Sequence, residues 1–321
     1  MTKSIVVIGG GTGSYTVLKG LKYYTNDLTA IVSMFDSGGS SGKLRDEFGY
    51  LPPGDLRRCI LALAPEDGRN EFLRKLFDYR FDKGNGLTDH SLGNLIITAA
   101  TEINGGDVLQ ATENISKLFD LKGKVLPVSL DNCILCAELE NGTIIKGETH
   151  IDIPKHDPSL KINKIYTEPE AYILVNCIDA IKKADIVVIG PGDLYTSIIP
   201  NLLVKGITEA LQETKAKKIY VCSVMTKYGE TSHGKDKNFT AKDFLEEIEK
   251  YIGKGTIQYL ICNSQKAKKE LLDKYALENA YPVETEKHIE GVKIITANLL
   301  NEKEILRHDS QKLAREIMKL S

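Results

Sequence analysis

Six short stretches combine glycines, hydroxyls and charges in ways that suit a phosphate-bearing ligand. The first is Ile8-Gly9-Gly10-Gly11-Thr12-Gly13-Ser14. Glycines after an apolar run let the backbone turn tightly, expose N–H groups and start a helix whose positive end faces the turn. Phosphate is the natural occupant, although a merely tight strand-to-helix turn is the plainer reading. Ser14 stands where the G-x-G-x-x-G dinucleotide fingerprint needs its last glycine, which argues against a routine nicotinamide site.

The second stretch, Asp36-Ser37-Gly38-Gly39-Ser40-Ser41-Gly42-Lys43-Leu44, resembles a P-loop but fails its spacing. Three residues instead of four separate Gly38 from Gly42, and Leu44 follows the lysine where Ser or Thr is required. What remains is a polar loop of small donors with one ammonium, suited to anionic or hydroxyl-rich groups. Asp36 can accept from a ribose hydroxyl or hold a cation. The third stretch, Gly49–Arg58, stiffens with Pro52 and Pro53 and brings Asp55, Arg57 and Arg58 to a helix start. Asp55 is expected to cap that helix, and one arginine either clamps an anion or lies on the surface.

In Asp89-His90-Ser91-Leu92-Gly93-Asn94-Leu95, the Asn94 amide offers both a donor and an acceptor to a base or sugar edge, and His90 reads as structural. Gly190-Pro191-Gly192-Asp193 follows another buried strand. Two such turns on two parallel strands make walls of one crevice, where open α/β sheets bind ligands. Finally, Arg307-His308-Asp309-Ser310 precedes the last helix: Asp309 or Ser310 can cap it, and Arg307 can return as a diphosphate partner.

The elements around these stretches alternate. Ser4–Ile8, Leu28–Phe35, Asp185–Ile189, Lys218–Val224, Ile257–Cys262 and Val292–Ala297 read as strands. Helical spacing fills Ser14–Tyr24, Ile207–Thr214, Ala241–Tyr251, Gln265–Tyr275 and Ser310–Leu320. Such alternation predicts a mostly parallel sheet covered on both faces. Residues 55–119 read as a helical segment. Residues 124–167 read as an antiparallel β excursion, with Cys133–Glu140 and Thr143–Ile151 flanking an Asn141-Gly142 hairpin turn. No linker divides the chain, so a single domain over 1–321 is expected.

Composition narrows the chemistry further. Lys+Arg (42) nearly balance Asp+Glu (44), which gives no global case for nucleic acid or an anionic membrane. No apolar run approaches a membrane span or a signal peptide, so a cytoplasmic protein is expected. Six scattered cysteines suit free thiols, and the lone Cys133-x-x-Cys136 lies in a strand, where residues three apart face opposite ways. The chain carries no HExxH, GxSxG, DFG, EF-hand or paired CxxC pattern. These stretches describe a ligand site and name no catalytic residue and no required cofactor.

GGGTGSYTVLKGLK, SMFDSGGSSGKLRDEFGYLPPGDLRRCILALA, HSLGNLIITA, IGPGDLYTSIIPNLL and VMTKYGET together resemble the YvcK-type gluconeogenesis factor family. That family lies within the CofD-like superfamily, related to 2-phospho-L-lactate transferase. The resemblance implies a Rossmann-like three-layer α/β/α fold and a cytoplasmic regulatory protein. Its relatives are needed for cell shape and for growth on gluconeogenic carbon, and bind UDP-sugars such as UDP-N-acetylglucosamine. It places Gly10–Gly13, Asp36–Ser41, Asn94 and Gly190–Asp193 in a nucleotide crevice, and links Tyr275 and Arg307 to the sugar nucleotide. Ser310 falls where some relatives carry a phosphorylatable hydroxyl. Partners expected on this basis are the nucleotide sugar, cell-wall synthesis or regulatory proteins, and a second copy of the chain. The alternative it implies is a CofD-like transferase of a phosphate-bearing group, with Mg²⁺ near Asp36. The polar loop Ser232–Lys237 departs from many relatives.

Overall fold

The computed structural model describes residues 2–301 and 305–321. Its centre is a seven-stranded parallel sheet. The strands are β1 (Ile5–Gly9), β2 (Leu28–Val32), β3 (Lys124–Pro127), β7 (Ile186–Ile189), β8 (Lys217–Val221), β9 (Tyr259–Asn263) and β10 (Lys293–Ala297). They stand in the order β10-β9-β8-β7-β1-β2-β3. A three-stranded antiparallel sheet is made of β4 (Ile134–Leu139), β5 (Ile144–Lys146) and β6 (Ile162–Glu168), and β11 (Leu300–Asn301) pairs with β12 (Arg307–His308).

The first six helices are α1 (Gly11–Leu21), α2 (Gly39–Phe48), α3 (Gly54–Leu63), α4 (Gly68–Asp78), α5 (Leu92–Ile103) and α6 (Val108–Phe119). The short α7 (Glu148–Asp152), α8 (Val175–Lys183), α9 (Ile199–Leu202) and α10 (Ile207–Glu213) follow. The last are α11 (Ala241–Ile252), α12 (Lys269–Leu277) and α13 (Ser310–Met318).

Strand geometry explains the three layers. Side chains alternate along β1, so Ile5 and Val7 enter one core while Val6 and Ile8 enter the other. The first core receives α1, α3 and α13 through Leu18, Leu56 and Leu313. The second receives α8, α10 and α11 through Ile181, Leu211 and Ile248, together with Leu135 and Ile165 of the small sheet. Strands buried on both faces read as continuous apolar runs, which is why their positions were legible.

The expected α/β/α architecture holds, with local differences. β3 pairs parallel with β2, so residue 124 opens in the main sheet and the antiparallel part starts at β4. The hairpin around Asn141-Gly142 is present, but the run Thr143–Ile151 breaks after Lys146 and becomes α7. Asp36–Leu44 is no loop throughout, because α2 begins at Gly39. α3 begins at Gly54, which puts Asp55 in its first turn and not at its cap. The last helix is capped by Asp309, whose carboxylate accepts from the backbone N–H groups of Gln311 and Lys312. No helix among the described residues is long and apolar enough to cross a membrane.

Candidate functional site

β1 pairs with β2 on one side and β7 on the other. The chain leaves β1 toward one half of the sheet and leaves β7 toward the other half. Loops at such a switch point diverge and open a crevice. The Gly10–Gly13 turn follows β1, and the Gly190–Asp193 turn follows β7. They are packed into contact: a Cβ on Gly13 would lie 1.7 Å from the Pro191 carbonyl oxygen, and one on Gly10 would lie 2.8 Å from Ser197 Cβ. Gly190 adopts φ +74°, a conformation that favours glycine.

A cleft of about 710 Å³ opens above this junction. Gly11, Thr12, Gly13, Gly192 and Asp193 form its floor, and Tyr275 and Arg307 line its C-terminal wall. Those sequence-singled positions therefore come together. Gly10 has no capping side chain, and Thr12 and Gly13 lie in a first helical turn, where N–H groups have no intrahelical acceptor. Tyr275 is fixed by accepting a hydrogen bond at its hydroxyl from the Leu306 N–H, 3.2 Å away. Arg307 is exposed. A second lobe of about 690 Å³ adjoins the first, sharing Thr12, Thr16, Arg307 and His308, and Ser310 lies on its wall.

The Asp36 segment lies behind this floor. Asp36 Oδ1 accepts from the Gly38 N–H at 2.9 Å, and a Cβ on Gly54 would lie 2.8 Å from Asp36 Oδ2 and 2.4 Å from Ser41 Oγ. Asn94 donates to Ser41 Oγ at 3.4 Å, and Ser40 Oγ meets His90 Nδ1 at 3.2 Å. Both Asn94 and His90 are buried. Asn94 thus braces the segment from beneath, and Lys43 stands exposed on α2, outside the residues that line the two lobes.

Sequence reasoning missed four charged groups. Glu148 and Asp152 arrive on α7, which docks on the Asp36 segment: Thr149 N–H donates to Ser37 Oγ at 3.0 Å, and Ser37 N–H to Glu148 Oε2 at 3.4 Å. Lys227 and Glu230 come from the turn after β8. The Lys227 ammonium bonds Asp152, Asp193 Oδ2 at 3.0 Å and Glu230 Oε1 at 3.2 Å. Asp152, Asp193 and Glu230 are close enough together to ligate a cation, and the ammonium stands among them. Burial works against that charge, but Glu230, Asp193 and Asp152 outweigh it and hold the lysine pKa above its ordinary value. The signal was the position of Lys227-Tyr228-Gly229-Glu230 after a parallel strand, at the sheet edge where the glycine turns lie.

The carboxylates are crowded. Burial, followed by the charge of Asp36, pushes Asp55 up to about 7 even though it accepts from the Gly11 N–H. Burial, followed by Asp36 and Asp152, pushes Glu148 up to about 8. Arg57 is buried and donates to Asp78 at 2.8 Å, while its neighbour Arg58 reaches the second lobe. Together the groups offer backbone donors and arginine to an anion, with carboxylates beside them.

Known proteins share the sequence and the fold. The family described as 2-phospho-L-lactate transferase CofD matches residues 5–300. The gluconeogenesis factor of Bacillus subtilis is 41% identical over 98% of this chain and 97% of its own length. That of Halalkalibacterium halodurans is 40% identical over 98% and 96%. A crystal structure of a UPF0052 family member from Bacillus halodurans superposes with a TM-score of 0.90 at 40% identity, covering 98% of this chain and 99% of that one. On this agreement of sequence and fold, the chain belongs to the gluconeogenesis factor family within the CofD-like superfamily.

Proposed function

We propose that this protein binds a nucleotide sugar of the UDP-N-acetylglucosamine type and acts as a cytoplasmic regulatory factor. In this role it supports growth on gluconeogenic carbon and couples sugar-nucleotide level to cell-wall synthesis and cell shape through protein partners. The observation that carries the reading is the junction of the two glycine turns. Free N–H groups at the start of α1 lie on the floor of a cleft whose far wall holds Arg307. The names of its relatives support the gluconeogenic part. Thermal-shift screening against UDP-, GDP- and nicotinamide-nucleotide panels tests it, since a ligand that binds only the folded state raises the melting temperature. The reading expects the largest shift with UDP-sugars, and a shift with GDP-linked ligands alone would reject it.

A second reading, a CofD-like transferase of a phosphate-bearing group from a nucleotide-linked donor, draws on the carboxylate cluster. Besides burial, the charge of Asp36 raises the pKa of both Asp55 and Glu148, and carboxylates of this kind are the hard oxygen donors that Mg²⁺ takes. When bound, the ion would neutralise a diphosphate. Product formation from a nucleotide-linked donor in the presence of Mg²⁺ distinguishes this reading from binding alone.

A further inference from the structure

A separate cavity of about 330 Å³ shares no lining residue with either lobe of the cleft. One face of α11 supplies Asp243, Glu246, Glu247 and Lys250 at the three- and four-residue spacing of helical neighbours. Glu140 and Lys161 come from the end of the small sheet, and Tyr195 from the chain after the second glycine turn. His233 and Phe239 come from the segment between β8 and α11, which includes the polar loop Ser232–Lys237. That segment is held firmly. Thr240 and Asp243 form a capping box at the start of α11, and the Phe239 ring meets His233 and Phe244 edge-on at 6.4 and 5.8 Å.

Two buried side chains on this lining each keep an acceptor without a partner. His233 is 7% exposed and Glu247 5%. His233 Nδ1 lies 3.0 Å from the Pro158 carbonyl oxygen, which can only accept, so Nδ1 carries the proton and Nε2 presents a lone pair. Burial lowers the His233 pKa and keeps the ring neutral at pH 7. Glu247 Oε2 takes the Lys250 ammonium. Neither Glu247 Oε1 nor His233 Nε2 has a hydrogen-bond partner. Leaving a buried acceptor unmade is costly, so each marks the place of a donor.

The other acids on the lining are engaged. Glu140 Oε1 accepts from the Lys161 backbone N–H at 3.2 Å, Asp243 Oδ2 accepts from the Thr240 N–H at 2.8 Å, and Glu246 lies 3.6 Å from the Lys242 ammonium. Lys161 is exposed. Four acids against two lysines leave the lining negative, and the half-buried Phe239 ring adds a face that attracts cations. Among the described residues, no third carboxylate, imidazole or thiol stands close enough to Glu247 and His233 to complete a metal-ligand set. The donor these acceptors call for is therefore an N–H.

We propose that this cavity binds a small organic ammonium ion, whose N–H groups donate to Glu247 Oε1 and His233 Nε2 beside the Phe239 ring. The site is independent of the nucleotide-sugar reading. A cation without N–H groups meets the negative lining and the ring but satisfies neither acceptor, which separates this recognition from charge attraction alone.

The test is calorimetric titration of the full chain, at fixed ionic strength, with 1,4-diaminobutane and with tetramethylammonium. Wild type is expected to bind 1,4-diaminobutane saturably and tetramethylammonium at least about tenfold more weakly, the difference made by one hydrogen bond to a charged group. Glu247→Gln removes the charge and keeps the shape, and is expected to weaken 1,4-diaminobutane about tenfold. His233→Asn keeps a donor for the Pro158 carbonyl and loses the Nε2 lone pair, for a loss of at least about fivefold. Thermal melting without ligand identifies the variants that fold, and the comparison of the two cations on wild type decides the matter even if neither does. Absence of saturable 1,4-diaminobutane binding by wild type overturns the proposal and assigns the cavity to water. Equal affinity for the two cations, or undiminished binding by either folded variant, overturns it as well.

Discussion

The Lys227 ammonium stands 3.0 Å from Asp193 Oδ2, tying the turn after β8 to the turn after β7. The same ammonium reaches Asp152 on α7, so one side chain connects three segments distant in sequence. Glu230, fully buried, is held from the other side by the Tyr195 N–H at 3.1 Å and the Thr196 hydroxyl at 3.3 Å.

Removing that ammonium leaves a buried carboxylate without its cation. Lys227→Met is expected to cost about 3 kcal/mol of stability, the scale seen when one partner of a buried pair is removed. Burial already raises the Glu230 pKa, so in the variant this group accepts a proton readily, and the loss shrinks as pH falls. Urea unfolding at pH 6 and pH 8 measures both effects. A loss below about 0.5 kcal/mol at pH 8, in the range of a surface pair, would show that the network contributes little.

The crowded carboxylates make stability pH-dependent. Folded values of about 7 for Asp55 and about 8 for Glu148 lie above the unfolded 3.8 and 4.5. The native state therefore binds more protons than the unfolded chain across that span. Their contribution is complete below about pH 4 and is lost as pH rises through 7 and 8. Between about pH 7.5 and 8, where unfolded histidine is about nine-tenths neutral or more, the ligand-free protein is expected to lose stability as pH rises. Glu148→Gln should flatten the slope, and chemical denaturation across that window reads it. An unchanged slope would remove Glu148 as its source.

The contact between the glycine turns is equally exposed to test. Gly13→Ala places a methyl 1.7 Å from the Pro191 carbonyl and must push the turns apart. It is expected to cost at least about 2 kcal/mol and to abolish ligand binding. Gly68→Ala is the matched control, because a methyl there meets nothing within 4 Å, and its stability should stay within about 0.5 kcal/mol of wild type.

Parts of this site were legible from local chemistry and parts were not. The turns after β1 and β7 announce themselves, because glycine after an apolar run has a short-range meaning. Asp36–Lys43 looked like a loop for the same reason, yet α2 starts at Gly39. Its first turn is fixed by Ser40 meeting His90 and Ser41 meeting Asn94, contacts across about fifty residues that no local pattern reveals. That helix carries Lys43 to the surface. Glu148 was hidden differently: it sits in what reads as a strand, and Ser37 binds it from 111 residues away. Arg57 and Arg58 are adjacent in sequence, but only helical geometry separates the buried partner of Asp78 from the residue beside the cleft.

Ser310 offers a charge test of the second lobe. It is the first residue of α13 and lines the wall near Arg307. Ser310→Glu adds an acid that competes with a diphosphate for the arginines, and is expected to weaken nucleotide-sugar binding about tenfold without lowering stability. Equal affinity in the variant would place the ligand's phosphates away from this wall.

Calorimetric titration of the full chain with UDP-N-acetylglucosamine, beside Arg307→Ala, decides whether the cleft takes a nucleotide sugar. The expected result is saturable one-site binding by the wild type, competed by UDP, and a loss of at least about tenfold in the variant. Absence of saturable heat at millimolar ligand, together with no thermal shift, would contradict it.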